Sequence, residues 1–527
     1  MKKLYTFLIL GFALSLISFG QDLPIIWQNT IGGSDDDRLY CMNKTADGGF
    51  ILGGRSRSDI SGDKTENSIG IGDYWVVKVN SNGLIEWQNT IGGSLDDHLY
   101  SISQTSDGGY ILGGISNSNI SGDKSENAMG IMDYWVVKIN AFGSIEWENT
   151  IGGNGVDYMY SIEESLDGGY ILGGKSNSNI SGDKTENSLG EDDIWVIKIN
   201  ESGIIQWDNT IGGDSYDNLE SLSVTTDGGY ILGGSSSSGI SGDKTEGNIG
   251  SSDFWVIKLT NNGNIEWQNT IGGTEGDWIE HISQTSDGGY IIGGGSTSNI
   301  SGDKTENSNG GFDMWVVKLD SSGLILWQNT IGGNDQDMLE SIRETSGGGY
   351  IIAGGSQSNI SGDKDENTIG DSDYWILKLN AFGAIEGQNT IGGTGAEGAY
   401  SAIETADEGY FVAGFSNSDI SGDKIENSQG GYDFWILKLD NILEVTENDF
   451  SNTLNLHPNP AKNTIRITLK NQTIDVVKIY SVKGELLKVL KNFENSSPID
   501  VSYLASGVYY LQLTSGKSIA TKKFVKE

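Results

Sequence analysis

The sequence is poor in the residues that build disulfide scaffolds, metal centres and catalytic dyads. It has one cysteine, three histidines and four prolines in 527 residues. A single cysteine excludes an internal disulfide and any cysteine-based metal site. Basic residues are also scarce, with 33 Lys and Arg against 72 Asp and Glu, which gives a formal net charge of −39. Nucleic acid and anionic membrane surfaces repel such a chain, so neither is a predicted partner.

Long apolar runs are scarce too, and the longest one stands at the N-terminus. Lys2 and Lys3 precede an apolar stretch from Leu4 to Ile17, and small residues follow it. This order is typical of an export signal, so residues 1–20 are predicted to be a signal peptide that is removed before Gln21. No later stretch approaches the roughly 18 continuous apolar residues that a spanning helix needs, so no transmembrane segment is predicted.

What the sequence has instead is a repeat with a period of 60 residues. Each of seven copies carries the motif Ile-Gly-Gly, from residues 31–33 to residues 391–393. Two sets of tryptophans follow the same period, and Gly387 replaces the seventh member of the first set. The first set is Trp27, Trp87, Trp147, Trp207, Trp267 and Trp327, and the second is Trp75, Trp135, Trp195, Trp255, Trp315, Trp375 and Trp435. Periods of this length indicate solenoids, propellers or arrays.

Each copy divides into four predicted strands, which in the second copy are residues 99–105, 110–114, 133–140 and 144–151. Asp-Gly between the first two strands predicts a type I′ turn, in which both central residues have positive φ. The third strand is apolar on both faces and so is predicted to be buried on both. The first strand carries small serines, which suit an inner edge near the axis. The fourth strand alternates apolar and polar residues, which suits an outer edge.

Such units predict an all-β fold, a seven-bladed β-propeller over residues 25–445. The array opens with a fourth strand at 25–31 and ends with a third strand at 433–440. The first strand is therefore predicted to complete the last blade and close the ring. A linear β-solenoid is the alternative. The segments "GGYILGG" (108–114) and "DYWVVKVNSNGLIEW" (73–87) make the unit similar to kelch-type propeller repeats.

The composition changes after Val445. Residues 447–527 hold eleven Lys and Arg, seven Asp and Glu, and three of the four prolines. Strand-like blocks at 454–469, 476–489, 499–513 and 521–527 are separated by Pro, Lys-Gly and Ser-Gly turns. We expect a linker over 446–452 and a small Ig-like β-sandwich over 453–527.

This tail resembles the C-terminal sorting domain of the type IX secretion system. The motifs that carry the resemblance are His457-Pro458-Asn459-Pro460, Gly484, Gly507-Val508-Tyr509 and the lysine-rich last strand. The resemblance implies that the chain crosses the periplasm and is then handled by an outer-membrane translocon, its one implied partner. In that family the tail is usually removed, and the protein is released or attached to the outer surface.

The loop "SGDKTEN" at 61–67 returns in every copy and has two interpretations. Asp63, Glu66 and Asp73, with Asp37 from the adjacent loop, offer the hard oxygen ligands that calcium prefers. Against a calcium site, the spacing is not that of an EF-hand, and Lys64 supplies a counter-charge in every copy. The loop is otherwise a corner whose aspartate caps a turn. No other cofactor is predicted.

One aligned position differs in every copy although its neighbours barely change. It is occupied by Arg38, His98, Tyr158, Asn218, Trp278, Met338 and Gly398. The position lies where the loop between blades enters the inner strand, so these residues are expected around the mouth of the channel. Variation confined to one rim is typical of a recognition surface. Drift at exposed positions is the other explanation.

These observations favour a binding or adhesion module for a surface glycan or protein. The alternative is an extracellular hydrolase or lyase that uses carboxylates on polysaccharide. Carboxylates are too abundant for a catalytic pair to be recognised by spacing. Cys41 and His281 occupy one aligned position, but they belong to blades one and five, so a dyad is not expected. No catalytic residue is predicted.

Overall fold

The computed structural model describes residues 23–441, 455–468, 474–481, 486–493, 497–515 and 518–527. The predicted signal peptide (1–20) and linker (446–452) lie outside the described residues. The chain divides into two compact units, Met1–Asn441 and Ile442–Glu527. In the described part of both units, all regular structure is β-strand.

The first three blades each contain four consecutive antiparallel strands, paired in chain order. Blade one comprises β2 (Asp37–Lys44), β3 (Phe50–Ser56), β4 (Asp73–Val79) and β5 (Ile85–Ile91). Blade two comprises β6 (Asp97–Gln104), β7 (Tyr110–Ser116), β8 (Asp133–Ile139) and β9 (Ile145–Ile151). Blade three comprises β10 (Asp157–Glu164), β11 (Tyr170–Ser176), β12 (Asp193–Ile199) and β13 (Ile205–Ile211).

Blades four to six repeat this arrangement. Blade four comprises β14 (Asp217–Val224), β15 (Tyr230–Ser236), β16 (Asp253–Leu259) and β17 (Ile265–Ile271). Blade five comprises β18 (Asp277–Gln284), β19 (Tyr290–Ser296), β20 (Asp313–Leu319) and β21 (Ile325–Ile331). Blade six comprises β22 (Asp337–Glu344), β23 (Tyr350–Ser356), β24 (Asp373–Leu379) and β25 (Ile385–Ile391).

Blade seven is completed by the first strand of the chain, as predicted. Its own strands are β26 (Glu397–Glu404), β27 (Tyr410–Ser416) and β28 (Asp433–Leu439), and β1 (Ile25–Ile31) pairs with β28. The register runs from Ile25 opposite Leu439 to Ile31 opposite Phe434. At this seam Leu23 is buried, and the side chain of Asn389 donates a hydrogen bond to its carbonyl at 2.8 Å.

The blades form a closed ring. The inner strand of each blade contacts the inner strand of the next, and β26 contacts β2. This closure excludes the linear solenoid and confirms a seven-bladed propeller. The core lies between blades, where the second tryptophan set is fully buried on the third strands, with Trp75 at 0% exposure. The paired glycines of the second strands are needed for close approach, since a Cβ on Gly114 would lie 1.9 Å from the carbonyl oxygen of His98.

The predicted type I′ turns are wrong in detail. In the turn after β6 only Gly108 has positive φ, at 86°, and Asp107 does not. The N–H of Gly108 donates to the carbonyl of Thr105 at 2.9 Å, and the side chain of Asp107 accepts from the N–H of Gly109 at 2.8 Å. This is the three-residue hairpin loop in which a type I turn precedes a left-handed glycine. The aspartate caps the turn instead of adopting positive φ.

The second unit is a small sandwich of two sheets. One sheet contains β29 (Asn455–His457), β30 (Thr464–Thr468) and β33 (Pro498–Asp500). The other contains β31 (Ile474–Ser481), β32 (Leu486–Phe493), β34 (Gly507–Ser515) and β35 (Ser518–Lys526). Ile465 and Ile467 of the first sheet share one apolar core with Val477, Ile479 and Leu511 of the second. The Ig-like sandwich that the sequence predicts matches this arrangement.

Candidate ligand-binding site

The seven "SGDKTEN" loops are corners that hold neighbouring strands together. The carboxylate of Glu66 accepts a hydrogen bond from the N–H of Thr90 at 2.6 Å, on the outer strand of its blade. Lys64 Nζ donates to Thr90 Oγ1 at 2.5 Å and lies 5.4 Å from the ring centroid of Trp75. The carboxylate of Asp63 accepts from the N–H of Gly32 at 3.4 Å. Each charged side chain of the loop therefore has a structural partner.

The carboxylates proposed for calcium do not converge. Asp73 accepts from the N–H of Ile69 at 2.7 Å, and Asp37 accepts from the N–H of Gly33 at 2.6 Å. Within residues 23–441 and the described parts of the tail, no three His, Cys, Asp or Glu side chains are grouped so that they could hold a metal ion. These contacts fit the corner interpretation of Asp63, Glu66 and Asp73, and a calcium site at these loops stays a prediction.

The loops between blades and the charged corners lie side by side at one end of the propeller. In blade two, the N–H of Ser94 donates to Ser121 Oγ at 2.9 Å, and the N–H of Leu95 donates to Ser118 Oγ at 2.9 Å. The inner strands begin at this end. Their second residues form the rim ring, which we define as Arg38, His98, Tyr158, Asn218, Trp278, Met338 and Gly398.

Two members of the rim ring are fixed by aromatic neighbours. The guanidinium of Arg38 lies 4.0 Å from the ring centroid of Tyr432. The indole of Trp278 packs against Phe312 with centroids 4.0 Å apart. Tyr432 belongs to the corner before the third strand of blade seven, which precedes the blade of Arg38. Phe312 belongs to the corner before the third strand of blade five, which is the blade of Trp278. Arg38 and Trp278 are thus each supported by an aromatic side chain at this end of the ring.

The other members of the rim ring are less alike. Burial, followed by the charge of Arg55, lowers the pKa of His98 to about 4. Tyr158 lies over Tyr160 with centroids 6.0 Å apart, and Met338 is 37% exposed. The Oδ1 atom of Asn218 is buried without a hydrogen-bond partner in the part of the chain that the structure describes. The ring therefore offers aromatic, amide and apolar groups at different points of one mouth.

Below the rim ring, the channel is lined by residues that the sequence interpretation missed. Two positions after each rim residue, the inner strands carry either tyrosine or glutamate. The tyrosine arc comprises Tyr400, Tyr40, Tyr100 and Tyr160 of blades seven, one, two and three. The glutamate arc comprises Glu220, Glu280 and Glu340 of blades four, five and six. Together they surround a cavity of about 410 Å³.

The tyrosine arc is a continuous aromatic wall. Ring centroids are 5.5 Å apart between Tyr400 and Tyr40, 5.4 Å between Tyr40 and Tyr100, and 5.6 Å between Tyr100 and Tyr160. Such spacings are typical of interacting aromatic pairs. Burial raises the pKa of Tyr100, Tyr160 and Tyr400, so these phenols stay protonated.

The glutamate arc brings three carboxyl groups together where they are poorly solvated. Burial raises the pKa of Glu220 to about 7, although Lys175 works against it. Burial, followed by the charge of Glu220, raises the pKa of Glu340 to about 7. Burial, followed by the charges of Glu340 and Glu220, raises the pKa of Glu280 well above its ordinary value. Near neutral pH the arc therefore holds protons that a cation could displace.

Deeper in the channel, the lining includes polar side chains that differ from blade to blade. Burial lowers the pKa of the His281 imidazole to about 3, and His281 Nδ1 has no hydrogen-bond partner among the described residues. Burial raises the pKa of the Cys41 thiol. Arg343 and Glu163 face the channel in blades six and three, and each moderates the pKa shift of the other. A neutral imidazole and a protonated thiol in blades five and one do not form a catalytic dyad.

A signal for the two arcs is present in the sequence. The aligned tetrads read "LYSI", "MYSI", "LESL", "IEHI" and "LESI", so tyrosine changes to glutamate between blades three and four. Strict alternation would place this position and the serine after it on opposite faces of the strand, so it does not predict that both face the channel. A β-bulge between Leu39 and Cys41, repeated in every blade, turns Tyr40 and Cys41 to the same side. The bulge was not predicted.

The tail matches a known family. Residues 455–527 fit the family model described as the secretion system C-terminal sorting domain. The tail is a type IX sorting domain. This assignment means that the protein is handled by the type IX secretion system and is exported to the cell surface or secreted. The sorting domain therefore accounts for delivery of the protein.

Solved structures similar to the propeller are distant. An unknown-function protein from Dyadobacter fermentans is 11% identical, covering 79% of this chain and 99% of its own, with a TM-score of 0.42. The Pan2 WD40 domain of Neurospora crassa is 11% identical over 78% and 95%, with a TM-score of 0.41. Drosophila Plexin A, solved with Semaphorin 1b, is 8% identical over 80% and 88%, with a TM-score of 0.40. With scores this low, the propeller assignment rests on the strand pairing itself.

The search of curated proteins found no match to this chain. The kelch-type resemblance of the repeats stays a prediction. None of the described segments contains a helix of the length and apolarity that crossing a membrane takes.

Proposed function

We propose that the propeller is a binding or adhesion module for a surface glycan or protein, with the rim ring as its recognition surface. The observation that supports this is the position of the variable residues. Arg38, His98, Tyr158, Asn218, Trp278 and Met338 occupy equivalent positions at one end of the ring, whereas the Ile-Gly-Gly motif and the second tryptophan set repeat in every blade. Trp, Tyr and Arg are the residues that most often anchor a binding partner.

The delivery route agrees with such a role. Export would begin with the signal peptide at 1–20, and the sorting domain takes the protein to the outer surface. There the propeller meets glycans and proteins of the surroundings, and the acidic chain, with a total net charge of −39, is repelled by anionic polymers. The propeller, residues 25–445, is the part of the chain that would act there, whether it is released or anchored.

A glycan-array screen with the purified propeller tests this proposal. For the glycan with the strongest signal, we expect a double variant, Trp278→Ala with Tyr158→Ala, to bind at least tenfold more weakly. Phe142→Ala is the matched control, because Phe142 is 85% exposed on a turn at the opposite end of the ring. Unchanged binding by the double variant contradicts a recognition role for the rim ring, and a weaker signal in the control points to general damage.

The second candidate is a carboxylate-dependent hydrolase or lyase that acts on polysaccharide outside the cell. The glutamate arc favours it, because an acid with a pKa of about 7, as for Glu220 and Glu340, suits proton transfer at neutral pH. Product formation on the array glycans, lost in Glu340→Gln, supports this candidate. Binding without product supports the first.

A further inference from the structure

The cavity between the two arcs is a candidate small-molecule site in its own right. Its volume of about 410 Å³ falls in the range of ligand pockets. It is formed once in the ring, because the sevenfold repeat is broken into four tyrosines and three glutamates. Such a site is distinct from the rim ring, and its ligand does not depend on what the rim ring binds.

The three carboxyl groups of the glutamate arc lack donors. Among residues 23–441, no side chain or backbone N–H hydrogen-bonds to Glu220, Glu280 or Glu340. The positive group that moderates the arc is Lys175, and it acts on Glu220 alone. Charged groups in poorly solvated places are normally paired. Among the described residues, Glu280 and Glu340 therefore lack a positively charged partner.

Two buried hydroxyl groups at the junction of the arcs also lack partners. Ser341 and Ser401 line the cavity, each is 4% exposed, and neither Oγ atom has a hydrogen-bond partner in the described part of the chain. Buried hydroxyl groups are rarely left unpaired. They stand beside Glu340 and Tyr400, so one ligand could meet a carboxylate, a hydroxyl group and an aromatic face together.

The opposite wall suits a cation that carries carbon. The faces and edges of Tyr40, Tyr100 and Tyr160 form an unbroken aromatic surface, and aromatic faces attract ammonium groups within about 6 Å. A bare metal ion fits less well, since no three ligating side chains of the described residues are grouped closely enough. Both walls favour an extended organic cation.

We propose that the channel binds a small aliphatic amine, with its ammonium group at the glutamate arc and its carbon chain against the tyrosine arc. Isothermal titration of the exported protein with cadaverine tests this assignment, and 1,5-pentanediol is the uncharged probe of equal length. We expect saturable binding of cadaverine and at least tenfold weaker binding of the diol. Equal binding of both probes, or no saturable heat from cadaverine, overturns the proposal.

Variants assign the binding to the two arcs. Glu280→Gln keeps the shape of the side chain and is expected to weaken cadaverine binding at least tenfold, whereas Glu201→Gln at an exposed turn leaves it unchanged. Tyr100→Phe keeps the aromatic face and retains binding, and Tyr100→Leu loses it. Circular dichroism and melting curves identify any variant that is unfolded. A folded Glu280→Gln variant that binds as wild type refutes the assignment.

Proton release gives a readout that damage to the fold does not mimic. Since burial holds protons on Glu220 and Glu340 near pH 7, an incoming ammonium group displaces part of them. The observed heat is then expected to differ between phosphate and Tris buffers, and this difference shrinks in Glu280→Gln. Equal heats in both buffers contradict the placement of the ammonium group at the glutamate arc. The other titratable groups that face the arcs are Tyr40, Tyr100, Tyr160, Tyr400, His281, Glu163, Arg343, Lys175 and Cys41.

Discussion

Buried lysines at the corners of the blades show how single residues hold this fold together. Lys184 Nζ donates to Thr210 Oγ1 at 2.7 Å and lies 5.2 Å from the ring centroid of Trp195. Burial lowers the pKa of Lys184 to about 8, and nearby carboxylates such as Asp157 oppose that shift. The hydroxyl group of Thr210 is thus part of what makes a buried ammonium group tolerable.

The variant Thr210→Val keeps the shape of the side chain and removes this acceptor. We expect it to lower the free energy of unfolding by about 1–3 kcal/mol, because a buried charged donor loses its partner. Urea denaturation followed by tryptophan fluorescence measures the change. Thr65→Val is the control, since Thr65 is exposed in the equivalent loop. If the two variants unfold at the same urea concentration, the hydrogen bond contributes nothing to stability.

At the scale of the element, β1 has a role that no other strand has. It pairs with β28 across more than 400 residues of sequence, and Ile31 at its end is buried in the core between blades seven and one. Without β1, blade seven has three strands, and the outer edge of β28 presents unpaired N–H and C=O groups. Exposed edges of this kind promote association between chains.

A protein that lacks residues 23–31 is expected to melt at a lower temperature and to associate, as measured by thermal denaturation and size-exclusion chromatography. Adding a synthetic peptide of residues 23–33 restores the monomer and the melting temperature, because the seam is non-covalent. The same peptide with Ile31→Asp provides the comparison, since a charge at that buried position prevents insertion. Rescue by both peptides contradicts specific completion of the blade.

The elements were largely predictable, whereas the placement of the two arcs in the channel was not. The blades follow from the sixty-residue spacing of the tryptophans and from the third strands, which are apolar on both faces. The closure of the ring follows from the fourth strand at 25–31, which precedes the first complete repeat. The turn after β6 differs because the side chain of Asp107 caps the backbone, an interaction that Asp-Gly alone does not reveal. The tyrosine and glutamate arcs depend on a bulge in each inner strand, and local alternation carries no signal for a bulge.

At the scale of the whole molecule, buried carboxyl groups make stability depend on pH. Burial, followed by the charge of Glu397, raises the pKa of Asp373 to about 7, and burial raises those of Asp133 and Asp433 to about 6. These groups hold protons in the folded state at a pH where the unfolded chain releases them. Their contribution to stability is therefore complete below about pH 4 and is lost as the pH rises to about 7.

We therefore expect the propeller to melt at a higher temperature at pH 5 than at pH 8. Hydrogen bonds from Lys438 and Thr405 lower the pKa of Asp407 to about 2. The stability that this carboxylate contributes is therefore lost only in acid stronger than pH 5. Asp373→Asn is expected to reduce the difference between pH 5 and pH 8 more than Asp419→Asn, which removes an exposed carboxylate. Differential scanning calorimetry decides this, and a melting temperature that rises from pH 5 to pH 8 contradicts the expectation.

The seam in blade seven also determines where the chain is free to start. Ile25 lies opposite Leu439, and the N–H of Asp440 donates to the carbonyl of Pro24 at 2.9 Å, so the two ends of the propeller meet. A short linker from Asn441 to Leu23 would join them without disturbing a strand. The chain could then be opened at any of the tight turns between third and fourth strands, and each opening would place the new termini at an equivalent point of a blade. The ring is thus topologically suited to circular permutation, with the sorting domain placed after any blade.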